Sequence, residues 1–244
     1  WIRNRSRSRV MKEEQTINIR GGRILDETTD AQGHLADIHI SGGVIAEVVE
    51  AGSKLPKADI DLDASGCVVS PGFVDLHVHL REPGREESET IETGSRAAAL
   101  GGFTAVVAMP NTEPSQDSRI VVEFVRAQGE RAGLCEVIPS ACITVGRAGQ
   151  ALAPYSELRD AGVTLFTDDG NGVQDPLLMR RALEYARDLD ITLAQHCEVS
   201  SLTVGAVMHE GSCCSHLGLP GWQAIAEELM VHRDIELVRL TGSR

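Results

Sequence analysis

Two histidines separated by one residue, His77 and His79, lie in the stretch PGFVDLHVHLREPG at residues 71–84. In a β-strand alternate side chains share a face, so both imidazoles would point the same way, together with Asp75 and Arg81. Two imidazoles at this spacing can bind one metal ion at the end of a strand. On its own the pair is weak evidence, because histidines also occur as ordinary core or surface residues.

Two later apolar segments also end in groups that bind metals. The segment TLFTDDG supplies Asp168 and Asp169, and the segment TLAQHCE supplies His196. Polar groups at the ends of apolar strands are costly to bury unless a site uses them, which favours a shared metal site. For one of the two aspartates the alternative is a turn or a helix N-cap, because DDGNG is typical of a turn.

The elements that must position these groups alternate regularly along the chain. The apolar runs predict strands at about 68–79, 103–109, 135–144, 163–168 and 191–197. The intervening patterns predict helices at about 88–100, 118–130, 151–161, 176–190 and 220–241. Alternation of this kind indicates a parallel sheet of about five βα units. It fits either an open five-stranded sheet or the front part of an eight-stranded α/β barrel.

The segment before these units differs in texture. Residues 12–69 cluster β-forming residues around Gly-Gly turns, and ISGGVI is typical of a tight hairpin. We therefore predict a disordered basic tail at residues 1–11, a small β domain at residues 12–69 and a barrel-like domain at residues 70–244.

Charge and composition exclude several classes of function. The formal net charge of −13 argues against broad binding to nucleic acid or to an anionic membrane. No apolar run reaches the roughly 18 residues of a membrane span, which leads us to expect a cytoplasmic protein. The six cysteines show no framework spacing and are predicted to be reduced.

Four motifs together resemble the amidohydrolase superfamily: PGFVDLHVHLREPG, ETGSRAAALGGFTAVVAMPNT, FTDDG and AQHCE. Within it the chain is similar to the dihydroorotases that carry an aspartate where their relatives carry a carboxylated lysine. The resemblance covers about residue 14 to the end. It implies a (β/α)8 TIM-barrel amidohydrolase fold, here truncated to about five βα units and preceded by a small β-sandwich segment.

The resemblance also implies a metal centre with two Zn2+ ions per active site in the full-length protein. His77 and His79 match the histidines that bind one zinc in the family. Asp169 matches the bridging carboxylate, and His196 matches a histidine of the second zinc. Asp168 is left with a supporting or structural role.

Two further positions match substrate-binding residues of the family. Arg81 has the chemistry for a two-pronged grip on a carboxylate, and Asn111 could donate a further hydrogen bond. Without the motifs, a surface ion pair with Glu82 or Glu86 would be the simpler prediction for Arg81, and a turn residue that for Asn111.

The positions of the lysines bear on the subfamily independently. The chain has lysine only at Lys12, Lys54 and Lys57, so the predicted barrel contains none. A carboxylated lysine cannot form there, which disfavours hydantoinases and dihydropyrimidinases and leaves a plain carboxylate, Asp169, as the bridge.

The implied activity is that of a dihydroorotase, the zinc-dependent reversible hydrolysis of dihydroorotate to carbamoyl-aspartate in de novo pyrimidine (UMP) biosynthesis. The family's general acid/base aspartate and a further metal histidine would lie beyond Arg244, so we expect a truncated chain of doubtful activity. An allantoinase-like cyclic amidohydrolase and a non-catalytic scaffold subunit for aspartate carbamoyltransferase remain alternatives. The expected ligand is a small molecule, and a homodimer or an association with aspartate carbamoyltransferase stays open.

Overall fold

The structure is a computed structural model that describes residues 15–26 and 33–243. The predicted basic tail at residues 1–11 lies outside the described residues. None of the helices in the described ranges is both long and apolar enough to cross a bilayer.

The chain divides into two compact units. One comprises Trp1–Val74 and Gly102–Thr104, and the other comprises Asp75–Gly101 and Ala105–Arg244. The first division along the chain thus follows Val74, a few residues after the predicted domain boundary at residue 69.

Five strands form the sheet of the first unit. They are β1 (Ile17–Ile24), β2 (His34–Ser41), β3 (Val44–Glu50), β4 (Ile60–Asp63) and β5 (Val68–Val69). The sheet order is β3-β2-β1-β4, and β5 also pairs with β1. β2 is antiparallel to both β1 and β3, whereas β4 and β5 run parallel to β1. The small hydrophobic core of this sheet forms around Ile24, Ala36 and Ile38.

The hairpin predicted from ISGGVI is confirmed. β2 ends at Ser41 and β3 begins at Val44, so the turn consists of Gly42 and Gly43 alone. Both glycines have positive φ, 60° and 76°, which a two-residue hairpin of this hand requires and which side chains disfavour. The described strands that lie wholly within this unit form one sheet, so the second layer of the expected β-sandwich stays a prediction.

Strand–helix alternation continues through the rest of the chain. Five strands are β6 (Phe73–Val78), β7 (Phe103–Ala108), β8 (Glu136–Pro139), β9 (Leu165–Thr167) and β10 (Thr192–Ala194). Five helices are α1 (Ile91–Leu100), α2 (Arg119–Ala132), α3 (Tyr155–Asp160), α4 (Pro176–Asp188) and α6 (Ile225–Thr241). Each strand and helix predicted in this region is therefore confirmed, although most strands are shorter than predicted.

These strands follow one another in order. β6, β7 and β8 form one sheet, and β9 and β10 form another. A parallel bridge between Ala141, just after β8, and Phe166 in β9 links the two sheets. β7 with β8 and β9 with β10 are parallel. The carboxyl ends of β9 and β10 therefore lie at the same edge, where polar residues after each strand can meet.

The third strand shows why an apolar run overestimates strand length. The pattern predicts a strand to about residue 144, but β8 ends at Pro139. Ala141, Cys142 and Ile143 are fully buried in the loop that follows. An apolar pattern reports burial, and burial does not require a continuous strand ladder.

The largest core lies between these strands and the helices α2, α3 and α4. Its buried side chains include Val122, Ile143, Leu158, Val163, Phe166, Leu183 and Ile191. Helix α4 begins sharply because Asp175 accepts a hydrogen bond from Leu177 N at 2.8 Å and Pro176 occupies the first helical position.

A short insertion between β10 and α6 was not predicted. It contains β11 (Met208–His209), α5 (Ser212–Leu217) and β12 (Gly221–Trp222). Its elements are too short to leave a periodic pattern in the sequence.

Candidate metal centre

Three predicted ligands meet at the ends of β6 and β9. Nε2 of His77 lies 3.3 Å from Oδ1 of Asp169, and Nε2 of His79 lies 3.6 Å from Oδ2 of the same carboxylate. One ligand atom from each of the three lies within 4.8 Å of the others. Among the described residues this is the only group of three or more such side chains with metal-binding geometry.

The fourth predicted ligand approaches the same carboxylate from another strand. His196 lies two residues beyond β10, and its Nδ1 atom is 3.7 Å from Oδ1 of Asp169. Its other ring nitrogen, Nε2, lies 3.0 Å from Oε2 of Glu198. The structure therefore brings together all four side chains that the sequence suggested.

The donor set fits a divalent metal. The Asp169 side chain is only 8% exposed, and imidazole nitrogens from His77, His79 and His196 surround it. Among the described residues, no lysine or arginine forms an ion pair with this carboxylate. Neutral imidazoles and a carboxylate are the nitrogen and oxygen ligands that zinc takes in proteins. A cation among them would offset the cost of burying the carboxylate charge.

Asn111 links two of these residues. Its Oδ1 atom lies 3.0 Å from Nδ1 of His79, and its Nδ2 donates a hydrogen bond of 3.3 Å to Oδ2 of Asp169. The amide oxygen accepts, so Nδ1 of His79 donates, and in a neutral ring Nε2 then carries the lone pair. Asn111 thus turns the ligand atom of His79 towards Asp169. The sequence predicted a substrate contact here and did not predict this link.

The two neighbouring aspartates have different surroundings. Asp168 is fully buried and points to Thr144, whose backbone N–H donates at 3.0 Å and whose hydroxyl donates to the other carboxylate oxygen. Burial raises the pKa of the Asp168 carboxyl, and the two hydrogen bonds from Thr144 oppose that rise. The carbonyl of Asp168 accepts from Asn171 N at 2.9 Å, so the turn predicted from DDGNG is present.

Arg147 supports the backbone of the site. Its Nη1 donates a 2.7 Å hydrogen bond to the carbonyl of Asp169, and its own carbonyl accepts from Nδ2 of Asn171 at 2.8 Å. These bonds join the loop after β8 to the loop after β9. Sequence reasoning missed Arg147, because nothing in GRAGQ marks a residue that reaches another loop.

Two glutamines join the loop after β9 to the loop after β10. Nε2 of Gln174 donates to the carbonyl of Glu198 at 2.9 Å, and Oε1 of Gln195 accepts from Val173 N at 3.0 Å. The backbones also approach closely at Gly172, where an added Cβ would lie 2.4 Å from the carbonyl oxygen of His196. These residues, too, were not found from the sequence, because glutamines carry no distinctive motif.

A cavity of about 460 Å3 opens beside the cluster. It is bounded by His77, Asp169 and His196 on one side, and Met109 and Trp222 contribute apolar surface. This volume suits a small molecule.

Arg81 does not continue the strand face of the two histidines, so that part of the interpretation is wrong. β6 ends at Val78, and Arg81 has a φ of 60° in the left-handed region, which breaks the alternation of side chains. The suggested ion pairs are also absent from the described contacts. The carboxylate of Glu82 accepts from Ile91 N, and that of Glu86 accepts from Gly84 N.

The loop that carries Arg81 is nevertheless attached to the loop that carries Asn111. Glu113 N donates to the carbonyl of Pro83 at 2.9 Å. The two predicted substrate-binding residues therefore lie in adjoining loops after β6 and β7.

Comparison with known proteins gives a consistent family. The family model described as Dihydro-orotase-like matches residues 66–244. Dihydroorotase from Mycobacterium leprae is 48% identical over 231 residues, which cover 94% of this chain and 52% of that protein. Dihydroorotase from Mycobacterium tuberculosis is 50% identical over 215 residues, covering 87% of this chain and 50% of that protein. The chain thus spans about half the length of the curated relatives it matches.

Solved structures agree on the fold. L-hydantoinase (dihydropyrimidinase) from Arthrobacter aurescens superposes with a TM-score of 0.73 at 18% identity, covering 94% of this chain and 52% of that chain. A crystal structure of a dihydroorotase superposes with a TM-score of 0.56 at 15% identity, covering 92% of this chain and 63% of that chain. Both likenesses show that this chain shares the fold of the matched part of these structures.

Proposed function

Because the chain belongs to the dihydroorotase-like family, we propose that it carries part of the active site of a zinc-dependent dihydroorotase. The reaction is the reversible hydrolysis of the cyclic amide of dihydroorotate to carbamoyl-aspartate, a step of de novo pyrimidine synthesis. One observation carries the proposal. Three imidazoles from two strand ends converge on the single buried carboxylate of Asp169.

The proposed metal ligands divide between two Zn2+ ions. His77 and His79 would hold one ion, His196 would hold the other, and the Asp169 carboxylate would be a ligand of both. When bound, such ions lower the pKa of a water molecule and polarise the amide carbonyl that is attacked. The chain's own contribution is to hold four ligand atoms close together before a metal arrives, through Asn111 and the loop contacts described above.

The carboxylate bridge distinguishes this site from that of lysine-dependent relatives. The chain has no lysine between Lys57 and Arg244, so no carboxylated lysine can form at the ends of β6 to β10. Asp169 lies where a bridging group is needed, in contact distance of ligands from β6 and β10. This supports the dihydroorotase class that uses aspartate.

Asn111 and Arg81 are the proposed contacts for the substrate carboxylate. An asparagine amide has two N–H donors, and one of them is directed at Asp169, so the second remains available for a ligand. Arg81 can bind a carboxylate through two parallel hydrogen bonds. Its loop is hydrogen-bonded to the loop of Asn111, which supports a shared role.

In the full-length protein, we propose that the proton-transferring aspartate lies C-terminal to Arg244. The barrel of the full-length protein would supply it together with a further metal histidine. We also propose that the full-length protein contains the remaining strands of a (β/α)8 barrel.

The test uses the full-length gene product. Purified protein should contain close to two Zn2+ per chain and should hydrolyse dihydroorotate, and Asp169→Asn should lose both properties. Zinc without turnover of any cyclic amide would favour the scaffold alternative. Turnover of allantoin alone would favour the allantoinase alternative, and the absence of metal would contradict both enzymatic candidates.

A further inference from the structure

Glu198 lies on the opposite side of the His196 ring from Asp169. Its Oε2 atom is 3.0 Å from Nε2 of His196, whereas Nδ1 of the same ring is 3.7 Å from Oδ1 of Asp169. A neutral imidazole carries one N–H and one lone pair. The nearer carboxylate oxygen accepts the N–H, so the lone pair on Nδ1 faces Asp169.

We propose that Glu198 is a positioning residue that holds His196 as its Nε2-protonated tautomer and thereby presents Nδ1 to the metal. This inference rests on the proposed function of the site formed by His77, His79, Asp169 and His196. It assigns a role to a residue that follows the ligand by two positions in the AQHCE motif.

Glu198 is itself fixed in place. The hydroxyl of Thr203 donates to its Oε1, and Nε2 of Gln174 donates to its backbone carbonyl at 2.9 Å. Its side chain is only 17% exposed. Among the described ion pairs it has no partner other than His196. Each carboxylate oxygen thus has one defined donor, which leaves Glu198 a strong and oriented acceptor for the imidazole.

His79 is oriented through the opposite ring nitrogen from His196. Nδ1 of His79 donates to the amide oxygen of Asn111, so His79 presents Nε2 to the centre, whereas His196 presents Nδ1. Two different acceptors therefore select two different tautomers. Acceptors behind metal-binding histidines raise metal affinity because they fix the ring and increase its basicity.

Metal affinity tests this role. Zinc binding to the full-length protein is measured by competition with a chelator, for wild type, Glu198→Ala and Glu198→Gln. We expect Glu198→Ala to weaken zinc binding by about 10- to 100-fold. Glu198→Gln should lose much less, because its amide oxygen still accepts the N–H. Equal losses in both variants would assign the effect to charge alone and would overturn the proposal.

Glu227 supplies the matched control. It lines the same cavity, is exposed, and makes no side-chain hydrogen bond or ion pair among the described contacts. Glu227→Ala removes the same charge and should change zinc affinity by less than about threefold, since exposed charges are well screened. A loss as large as that of Glu198→Ala would contradict a specific role for Glu198.

The 15N chemical shifts of the His196 ring report its tautomer in the absence of metal. In 15N-labelled, zinc-free protein, at a pH where the ring is neutral, the His196 ring should show a protonated Nε2 and an unprotonated Nδ1, and Glu198→Ala should shift both signals towards averaged values. His196→Asn identifies the signals. A protonated Nδ1 in wild type, or unchanged shifts in Glu198→Ala, would overturn the proposal.

The two readouts separate this inference from the proposed function. If wild type binds no zinc, the metal centre fails, and the ring signals still decide the role of Glu198. If zinc binds and Asp169→Asn abolishes binding while Glu198→Ala binds as tightly as wild type, only the positioning role fails. Glu198→Gln keeps the test informative if Glu198→Ala does not fold.

Discussion

The ring of His79 is held by Asn111, with Nδ1 of the histidine 3.0 Å from Oδ1 of the amide. The same amide donates to Asp169 through Nδ2 at 3.3 Å. One side chain thus orients a nitrogen ligand and an oxygen ligand at once. This link explains how two groups from different strands are arranged before any metal binds.

Replacing Asn111 should therefore lower the affinity for zinc as well as the affinity for substrate. We expect Asn111→Leu, which keeps the branched shape and the number of side-chain heavy atoms but removes both hydrogen bonds, to reduce zinc affinity by about 10- to 100-fold. Chelator competition measures the loss. Asn171→Leu is the comparison variant, because among the described contacts its side-chain amide donates to the carbonyl of Arg147 and to no proposed ligand, so its loss of zinc affinity should be smaller. Unchanged zinc affinity in Asn111→Leu would limit Asn111 to a substrate contact.

The two adjacent aspartates should respond differently to the same change. Asp169→Asn removes the shared carboxylate and should abolish stoichiometric zinc binding, as measured by metal analysis after gel filtration. Asp168→Asn should leave two zinc ions bound, because the Asp168 carboxylate points to Thr144 and not to the imidazoles. The reverse result would mean that the assignment of the two aspartates is wrong.

The buried Asp168 should also give a recognisable pH dependence. Burial raises the pKa of its carboxyl above the ordinary value of 3.8, so the folded protein holds this proton more tightly than the unfolded chain does. The contribution of this group to the free energy of unfolding is complete below pH 3.8 and is lost as pH rises through the raised pKa.

Chemical denaturation of the zinc-free protein between pH 4 and pH 7 measures this effect. The stability of wild type relative to Asp168→Asn should fall with increasing pH, because the variant cannot ionise. Other carboxyls titrate in both proteins and cancel in the difference. A difference that is flat or rises with pH would contradict the raised pKa.

Gly172 should be intolerant of a side chain because of its close approach to His196. Gly170 and Gly172 both have positive φ, 87° and 61°, so alanine costs about 1–2 kcal/mol at either position. Only at Gly172 would the added Cβ meet a backbone atom, the carbonyl oxygen of His196 at 2.4 Å. At Gly170 the nearest atom is 3.6 Å away.

We therefore expect Gly172→Ala to destabilise the protein by about 1–3 kcal/mol more than Gly170→Ala, through overpacking. It should also lower zinc affinity, because the carbonyl that must move belongs to a proposed ligand. Urea denaturation and chelator competition measure the two effects. Equal behaviour of the two variants would show that the loop yields without disturbing the site.

The reactivity of each cysteine should follow the exposure of its side chain. All six are free, as predicted, and Cys67 and Cys213 are exposed, whereas Cys142 and Cys214 are buried. Burial strongly raises the pKa of the Cys142 thiol, which keeps it in its unreactive form. A thiol reagent at pH 7.5 should label Cys67 and Cys213 first, as peptide mass mapping would show. Early labelling of Cys142 would indicate that the loop after β8 opens readily.

The sequence alone determined the alternation of strands and helices and the residue types at the strand ends. Periodic burial leaves a pattern that can be read locally, which is why helix α4 agrees with the prediction. The Gly42-Gly43 hairpin agrees because a two-residue turn requires positive φ, which glycine adopts readily. His77, His79, Asp169 and His196 were found because metal-binding side chains at the ends of apolar strands are rare without a use.

The tertiary structure decided what depends on contacts between loops. Local alternation could not tell Asp168 from Asp169, because only packing against Thr144 buries one and turns the other to the imidazoles. It also could not place Arg81, since the strand ends at Val78 and the backbone then changes direction. Asn111 lies within hydrogen-bonding distance of the His79 ring only because the assembled strands bring two distant parts of the chain together.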